Sequence, residues 1–279
     1  MKKNHDEIRE AVRENYSKVA ENSAANNCGC VADSDNSCCA PAPTNSFYQI
    51  SAKLGYSENE LQTIPEGANL GLGCGNPQAI AAIQKGETVL DLGSGAGFDV
   101  FLAANQLENT GKAIGVDMTP KMISTARENA RKGKYTNVEF RLGEIEYLPV
   151  ADNSVDVVIS NCVINLSPEK QKVFNEVFRV LKPGGRIAVS DVIATTILPK
   201  KVKEDMAMYS SCISGASTIQ ELERMLTRAG FVNIKISPKN ESKAFIREWA
   251  PGTTIHDYIV SATIEASKPN LAQVSPPGV

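Results

Sequence analysis

The chain has no run of apolar residues long enough to cross a bilayer. Its first residues, Met1-Lys-Lys-Asn-His-Asp-Glu7, lack the apolar core of a secretion signal. It has no block of like charge either: 29 Lys and Arg stand against 32 Asp and Glu, for a net charge of −3. An acidic chain with dispersed charge disfavours polyanions, so neither nucleic acid nor a membrane is expected as a partner. Two histidines, His5 and His256, and no C-x-x-C pair leave no tetrahedral set for structural zinc. The single tryptophan, Trp249, lies in Arg247-Glu-Trp-Ala-Pro-Gly252 and is expected to pack near the last strands. These absences lead us to expect a cytoplasmic globular chain. In that compartment thiols stay reduced, so its seven cysteines point to ligand binding or redox chemistry rather than a disulfide scaffold.

What is there begins with Thr88-Val-Leu-Asp-Leu-Gly-Ser-Gly-Ala-Gly-Phe-Asp99, an apolar run that ends in three glycines spaced G-x-G-x-G. Such a stretch turns a strand into a helix around a ligand, because glycine permits close approach and positive φ, and the helix start offers unpaired N–H groups. The dinucleotide fingerprint G-x-G-x-x-G is missing, and Asp91 would repel a pyrophosphate. A carboxylate here suits a ligand bearing a positive group.

This pattern resembles the class I S-adenosylmethionine-dependent methyltransferases from about Glu87 onward. The resemblance implies that Asp91, Gly93, Ser94, Gly95 and Gly97 cradle the methionine end of the cofactor. It also implies that Asp117, closing Ala113-Ile-Gly-Val-Asp117 and followed by Met118, takes the ribose hydroxyls. Glu144 and Ile145, after Val138-Glu-Phe-Arg-Leu-Gly143, match positions that contact adenine. Asn161 and Cys162, after Val155-Asp-Val-Val-Ile-Ser160, fall at the mouth of the site.

Strands and helices alternate from Glu87, which predicts an α/β fold: a mostly parallel sheet with helices on both faces. The pattern gives seven strands, the last two being Val232–Ile236 and Ile255–Ile264. Thr119-Pro120 starts one helix. Another runs from Pro168 to a turn at Lys182-Pro-Gly-Gly185, and a third from Thr218 to Ala229. The expected organisation is an N-terminal helix and polar, cysteine-rich segment over 1–46, the methyltransferase-like domain over 47–266 and a loose tail over 267–279. In the first helix Ile8, Val12, Tyr16 and Val19 share one face, as a lid would require.

Three cysteines stand apart from the N-terminal cluster of Cys28, Cys30, Cys38 and Cys39. They are Cys74 in a glycine-rich loop, Cys162 after the fourth strand and Cys212 after the fifth. Open α/β folds bind ligands at the carboxyl ends of their strands, where these three can converge. A buried cysteine is often only a small hydrophobe. Three converging thiolates instead select a soft, three-coordinate centre, and trivalent arsenic fits that description. Its lone pair can attack a sulfonium methyl without a general base, leaving positioning as the main source of rate.

The motifs Gly71-Leu-Gly-Cys-Gly-Asn-Pro77 and Asn161-Cys-Val-Ile-Asn-Leu-Ser-Pro168 resemble those of the arsenite S-adenosylmethionine methyltransferases. The resemblance implies that Cys162 and Cys212 hold arsenic, in a ligand set with Cys74. It further implies that Cys74 and an N-terminal cysteine, with Cys39 preferred over Cys38, exchange thiol for disulfide. Arsenite or its thiol conjugates would be the substrate, and thioredoxin or glutathione the reductant. Family members carry glutamate just before the counterpart of Cys212, where this chain has Ser211. Two other readings stay open: methylation of an organic acceptor such as a quinone or sterol-like ring, and a thiol-rich metalloid-binding module without turnover.

Overall fold

The computed structural model describes residues 4–25, 45–203, 205, 208–209, 212–249 and 253–270. Helix α1 covers His5–Ala25, and short helices α2 (Asn45–Lys53), α3 (Glu58–Gln62) and α4 (Gln78–Ala81) lead into the sheet. The alternating part runs β1 (Thr88–Leu92), α5 (Phe98–Gln106), β2 (Lys112–Asp117), α6 (Pro120–Lys132), β3 (Val138–Leu142) and β4 (Val155–Asn161). It continues with α7 (Lys170–Val180), β5 (Leu181–Ala194), α8 (Lys200–Lys203), β6 (Ser217–Thr218), α9 (Ile219–Ala229), β7 (Val232–Lys239), α10 (Lys243–Trp249) and β8 (Ile259–Ser267).

The strand order is β3-β2-β1-β4-β5-β8-β7, with the two-residue β6 added beside β5. Strands β1 to β5 run parallel to one another, and β8 inserts antiparallel between β5 and β7. Parallel strands covered on both faces carry near-continuous apolar runs, and Val89–Leu90 of β1 and Val157–Ile159 of β4 show it. Val89, Val157 and Ile159 pack with Phe101 of α5 and Ile123 of α6, while Leu90 and Val158 pack with Phe174 of α7 and Leu226 of α9.

The helix ends follow local chemistry. Thr218 and Glu221 form a reciprocal capping box, and α9 stops at Gly230, whose φ of 105° a side chain would oppose. Thr119 occupies the N-cap position of α6 without a side-chain bond; its N–H instead donates to the Asp117 carboxylate at 2.8 Å.

Two boundaries depart from the sequence pattern. Residues 182–185 lie within β5 as a bulge, since Val155 pairs with Leu181 and Val157 with Arg186, which leaves the Pro-Gly-Gly stretch looped out of the ladder. Ile255–Asp257 forms a 3₁₀ turn, so the last strand starts at Ile259. Among the described residues no helix is long and apolar enough to cross a membrane.

Candidate active site

At the carboxyl ends of β1, β2 and β4 the chain encloses a cavity of about 410 Å³. Its floor is the glycine turn. The N–H groups of Gly93 and Ser94 donate to the Val116 carbonyl at 2.8 and 3.0 Å, and the Gly95 N–H donates to Asp117 Oδ2 at 3.0 Å. Gly93 has φ +68°, and a Cβ there would stand 2.4 Å from a methyl of Val163, so only glycine fits. Of the positions the cofactor motif picks out, Gly93, Gly95, Asp117, Met118, Ile145 and Asn161 line the cavity. Ser94 and Gly97 belong to the same turn, and Asp91 lies buried beneath it.

Glu144 faces elsewhere. It pairs with Arg13 of α1 at 3.1 Å and with Arg9 at 3.6 Å. Beside Ile145 the cavity wall carries Glu146 instead, which the motif did not pick out; it is 4% exposed and accepts from Ser167 Oγ at 2.6 Å. Nothing in the sequence tells the two apart, because what divides them is α1. That helix supplies Arg9, Val12, Asn15, Tyr16 and Val19 to the cavity wall, and Arg9 reaches Glu146 at 3.5 Å and Glu169 at 2.6 Å. Removing Arg9 from this partly buried ion cluster strands the buried Glu146. Arg9→Ala is therefore expected to lower stability by about 2–3 kcal/mol, read as a drop in urea midpoint.

A second acid is also new. Asp99, on α5, accepts from the Tyr56 hydroxyl at 2.9 Å and from Gln78 Nε2 at 3.3 Å. Burial pushes it up to about 6 against those bonds. Burial, then the charges of Asp99 and Asp117, hold Asp91 well above the usual carboxylate range. Burial likewise raises Asp117, against the N–H groups of Thr119 and Gly95. Asp117 lines the cavity, and the buried Asp91 and Asp99 lie behind it, close enough that Asp99 and Asp117 raise Asp91, a cluster of carboxylates that fits a cationic ligand.

These shifts predict a pH dependence. The folded ligand-free protein holds the Asp99 proton more tightly than the unfolded chain, so it loses stability as pH rises from the ordinary carboxylate range through about 6. A ligand with an ammonium group favours the ionised form. The rise in melting temperature given by S-adenosylmethionine is thus expected to be larger at about pH 7.5 than at about pH 5, as differential scanning fluorimetry would show.

Asn161 joins this carboxylate cluster to the loop that carries Cys74. Its Nδ2 donates to the Gly75 carbonyl at 2.8 Å and to the Tyr56 hydroxyl at 3.1 Å, and its Oδ1 accepts from the Cys74 N–H at 3.0 Å. The loop carrying Cys74 is so fastened to the end of β4. Cys162 and Cys212 line the cavity, at φ +59° and +62°, in the left-handed region that bulky residues avoid. Both are buried, and the Cys212 thiol donates to the Cys162 carbonyl at 2.7 Å. Cys74 sits behind the wall, fully buried, its carbonyl accepting from Ser261 Oγ. The thiol sulfurs of Cys74 and Cys162 and a carboxylate oxygen of Asp191 all lie within 4.8 Å of one another. Burial raises the Cys74 thiol; burial and the flanking Cys212 and Cys74 thiols raise Cys162 well above the usual range.

Tyr16 and Trp249 complete the wall; Trp249 also packs on Phe245, with ring centroids 5.5 Å apart. His5 is exposed beside Glu169, and His256 lies in the 3₁₀ turn. Cys28, Cys30, Cys38, Cys39 and Ser211 lie outside the described residues.

A doubly wound sheet with a glycine turn at β1 and an acid at the end of β2, both lining one cavity, defines a class I S-adenosylmethionine-dependent methyltransferase. Residues 83–230 match the family described as a methyltransferase domain. The chain is 53% identical to an arsenite methyltransferase of Halobacterium salinarum, over 95% of this chain and 67% of that protein. It is 35% identical to one of Aquipseudomonas alcaligenes, over 82% of this chain and 63% of that protein. Among solved structures it resembles CrArsM, an arsenic(III) S-adenosylmethionine methyltransferase from Chlamydomonas reinhardtii. That match has a TM-score of 0.62 and 32% identity, over 81% of this chain and 75% of the other. The chain belongs to the arsenite methyltransferase family. It spans about two thirds of the length of the two curated relatives.

Proposed function

We propose that this chain transfers methyl groups from S-adenosylmethionine to trivalent arsenic held on cysteine thiolates. The observation that carries the reading is that Cys162 and Cys212 line the same cavity as the glycine turn and Asp117, with Cys74 within ligating distance of Cys162. Gly93, Gly95, Asp117, Met118, Ile145 and Asn161 would hold the cofactor, with Glu146 at the wall beside Ile145 and the buried Asp91 and Asp99 favouring its ammonium. When bound, it supplies a methyl on a sulfonium, electrophilic toward a soft lone pair.

The chain's own residues do the rest. Arsenite binds by exchange: each new sulfur–arsenic bond replaces an arsenic–oxygen bond, and the thiol proton leaves with the departing hydroxide as water. Thiolate ligands leave arsenic a lone pair and no proton, so no general base is needed at the reacting atom, and the fixed backbones of Cys162 and Cys212 supply the positioning. Methylation leaves arsenic short of two electrons. Cys74 and an N-terminal cysteine, Cys39 in this proposal, return them by forming a disulfide with release of two protons. Thioredoxin or glutathione then reduces that disulfide.

The test is mass-spectrometric speciation of arsenic after incubation of the purified chain with arsenite, S-adenosylmethionine and a thiol reductant. Methylated arsenicals are expected. Their absence from a protein that still binds the cofactor would overturn the reading.

A further inference from the structure

The arsenic reading draws on Cys162, Cys212 and Cys74, yet the ligand atoms that cluster within 4.8 Å of one another are the thiols of Cys74 and Cys162 and a carboxylate oxygen of Asp191. Cys212 is outside that set, its thiol turned to the Cys162 carbonyl at 2.7 Å. Asp191 plays no part in the chemistry proposed above. It lies on β5 at 2% exposure, and its position is fixed rather than incidental. Its Oδ1 accepts from Asn165 Nδ2 at 2.8 Å and from the Val192 N–H at 2.7 Å, and its Oδ2 accepts from the Asn165 N–H at 3.3 Å. These bonds orient a carboxylate beside two thiols, as partners of a metal ligand do.

Two sulfurs and one oxygen suit a different ion from three sulfurs. Trivalent arsenic takes three thiolates, whereas zinc-like divalent cations accept a mixed set of thiolate and carboxylate and leave a fourth position open. Two sulfurs on a tetrahedral zinc ion stand roughly 3.8 Å apart. The sulfurs of Cys74 and Cys162 lie no more than 4.8 Å apart, so a small side-chain rotation brings them to that separation. Hard cations such as Mg²⁺ prefer oxygen ligands and would not compete.

We propose that Cys74, Cys162 and Asp191 form a site for a soft or borderline divalent cation, Cd²⁺ or Zn²⁺, which overlaps the arsenic site and excludes arsenic from it. Cys162 and Cys74 are common to both readings, and Cys162, because it lines the cavity, is the door by which either ion enters. Such a cation bound there blocks methylation by competing with arsenite. The competition rests on the arsenite reading, but the cation site itself does not.

The experiment is titration of the full-length reduced chain with Cd²⁺, followed by thiolate-to-cadmium charge-transfer absorption. The background carries Cys28→Ser, Cys30→Ser, Cys38→Ser and Cys39→Ser, so that the N-terminal thiols do not contribute. One cadmium per chain is expected there and again after Cys212→Ser. Asp191→Asn is expected to weaken cadmium by at least about 10–100-fold, and Cys162→Ser to abolish it. Equal cadmium affinity with and without Asp191, or loss of binding in Cys212→Ser, would overturn the proposal. X-ray absorption at the cadmium edge gives a second test that does not depend on how the Asp191 variant folds. Two sulfurs with oxygen ligands support the site, and three sulfurs overturn it. Arsenic speciation is a separate readout, so a chain that binds cadmium as proposed but methylates no arsenic leaves the cation site standing.

Discussion

Replacing Cys162 by serine is expected to lower the kcat/KM for arsenite methylation on the order of a thousandfold or more, equivalent to about 4 kcal/mol of transition-state stabilisation. The argument is chemical and positional. A serine oxygen is a hard donor with little affinity for a thiophilic centre, so arsenic loses one of the two ligands on the cavity wall and its lone pair is no longer aimed along one direction. The change is nearly isosteric, and Cys162 keeps its backbone bond to the Ser190 carbonyl at 2.8 Å whatever its side chain. Folding should therefore survive: burying the hydroxyl costs about 1–3 kcal/mol at most, and S-adenosylmethionine affinity should stay near wild type. If Cys162 were only a small buried hydrophobe, the serine variant would lose some stability and keep its turnover. Arsenic speciation against cofactor titration separates the two.

The second large effect is on the cofactor. Asp117→Ala is expected to raise the Kd for S-adenosylmethionine about a hundredfold, or about 3 kcal/mol, from the loss of charge-assisted hydrogen bonds worth about 1.5–3 kcal/mol each. Part of this comes through the protein itself. Asp117 Oδ2 receives the Gly95 N–H and Oδ1 the Thr119 N–H, so its removal also unfastens the glycine turn and the start of α6. Asp117→Asn, which retains one oxygen acceptor, should fall between wild type and alanine. Calorimetric titration reads the effect. An unchanged Kd in the alanine variant would mean that Asp117 only shapes the loop, and arsenite binding, held by sulfur, should not move in either variant.

Much of this fold is legible in the sequence because its signals are local. The glycine turn follows an apolar strand, the segment from Thr218 to Ala229 reads as a helix, and Gly230 ends α9 where a positive φ is required. What escapes depends on contacts far apart in the chain. The looped-out 182–185 segment reads as a turn because Pro-Gly-Gly is turn chemistry, and only the pairing of Val155 with Leu181 draws it into β5. Glu144 and Glu146 are indistinguishable as letters. Arg13, more than a hundred residues away, draws the first out of the cavity, while Ser167 and burial keep the second at its wall. Asp99 and Tyr56 are likewise joined across 43 residues.

The thiols divide in the same way. That Cys74, Cys162 and Cys212 could meet at the carboxyl edge of the sheet follows from their places between elements. That Cys162 and Cys212 adopt left-handed backbone, and that Cys74 stands behind the wall with Asp191, does not. Neither feature has a sequence signature, because both arise from how β4, β5 and the loop fastened by Asn161 pack together.

The most direct measurement is X-ray absorption at the arsenic edge on the reduced chain loaded with arsenite, in wild type and in Cys212→Ser. The account predicts arsenic bound by sulfur alone in wild type, with one sulfur replaced by oxygen in the variant. Arsenic coordination that is the same in both proteins, and the same again in Cys162→Ser, would place the metalloid elsewhere and contradict the account.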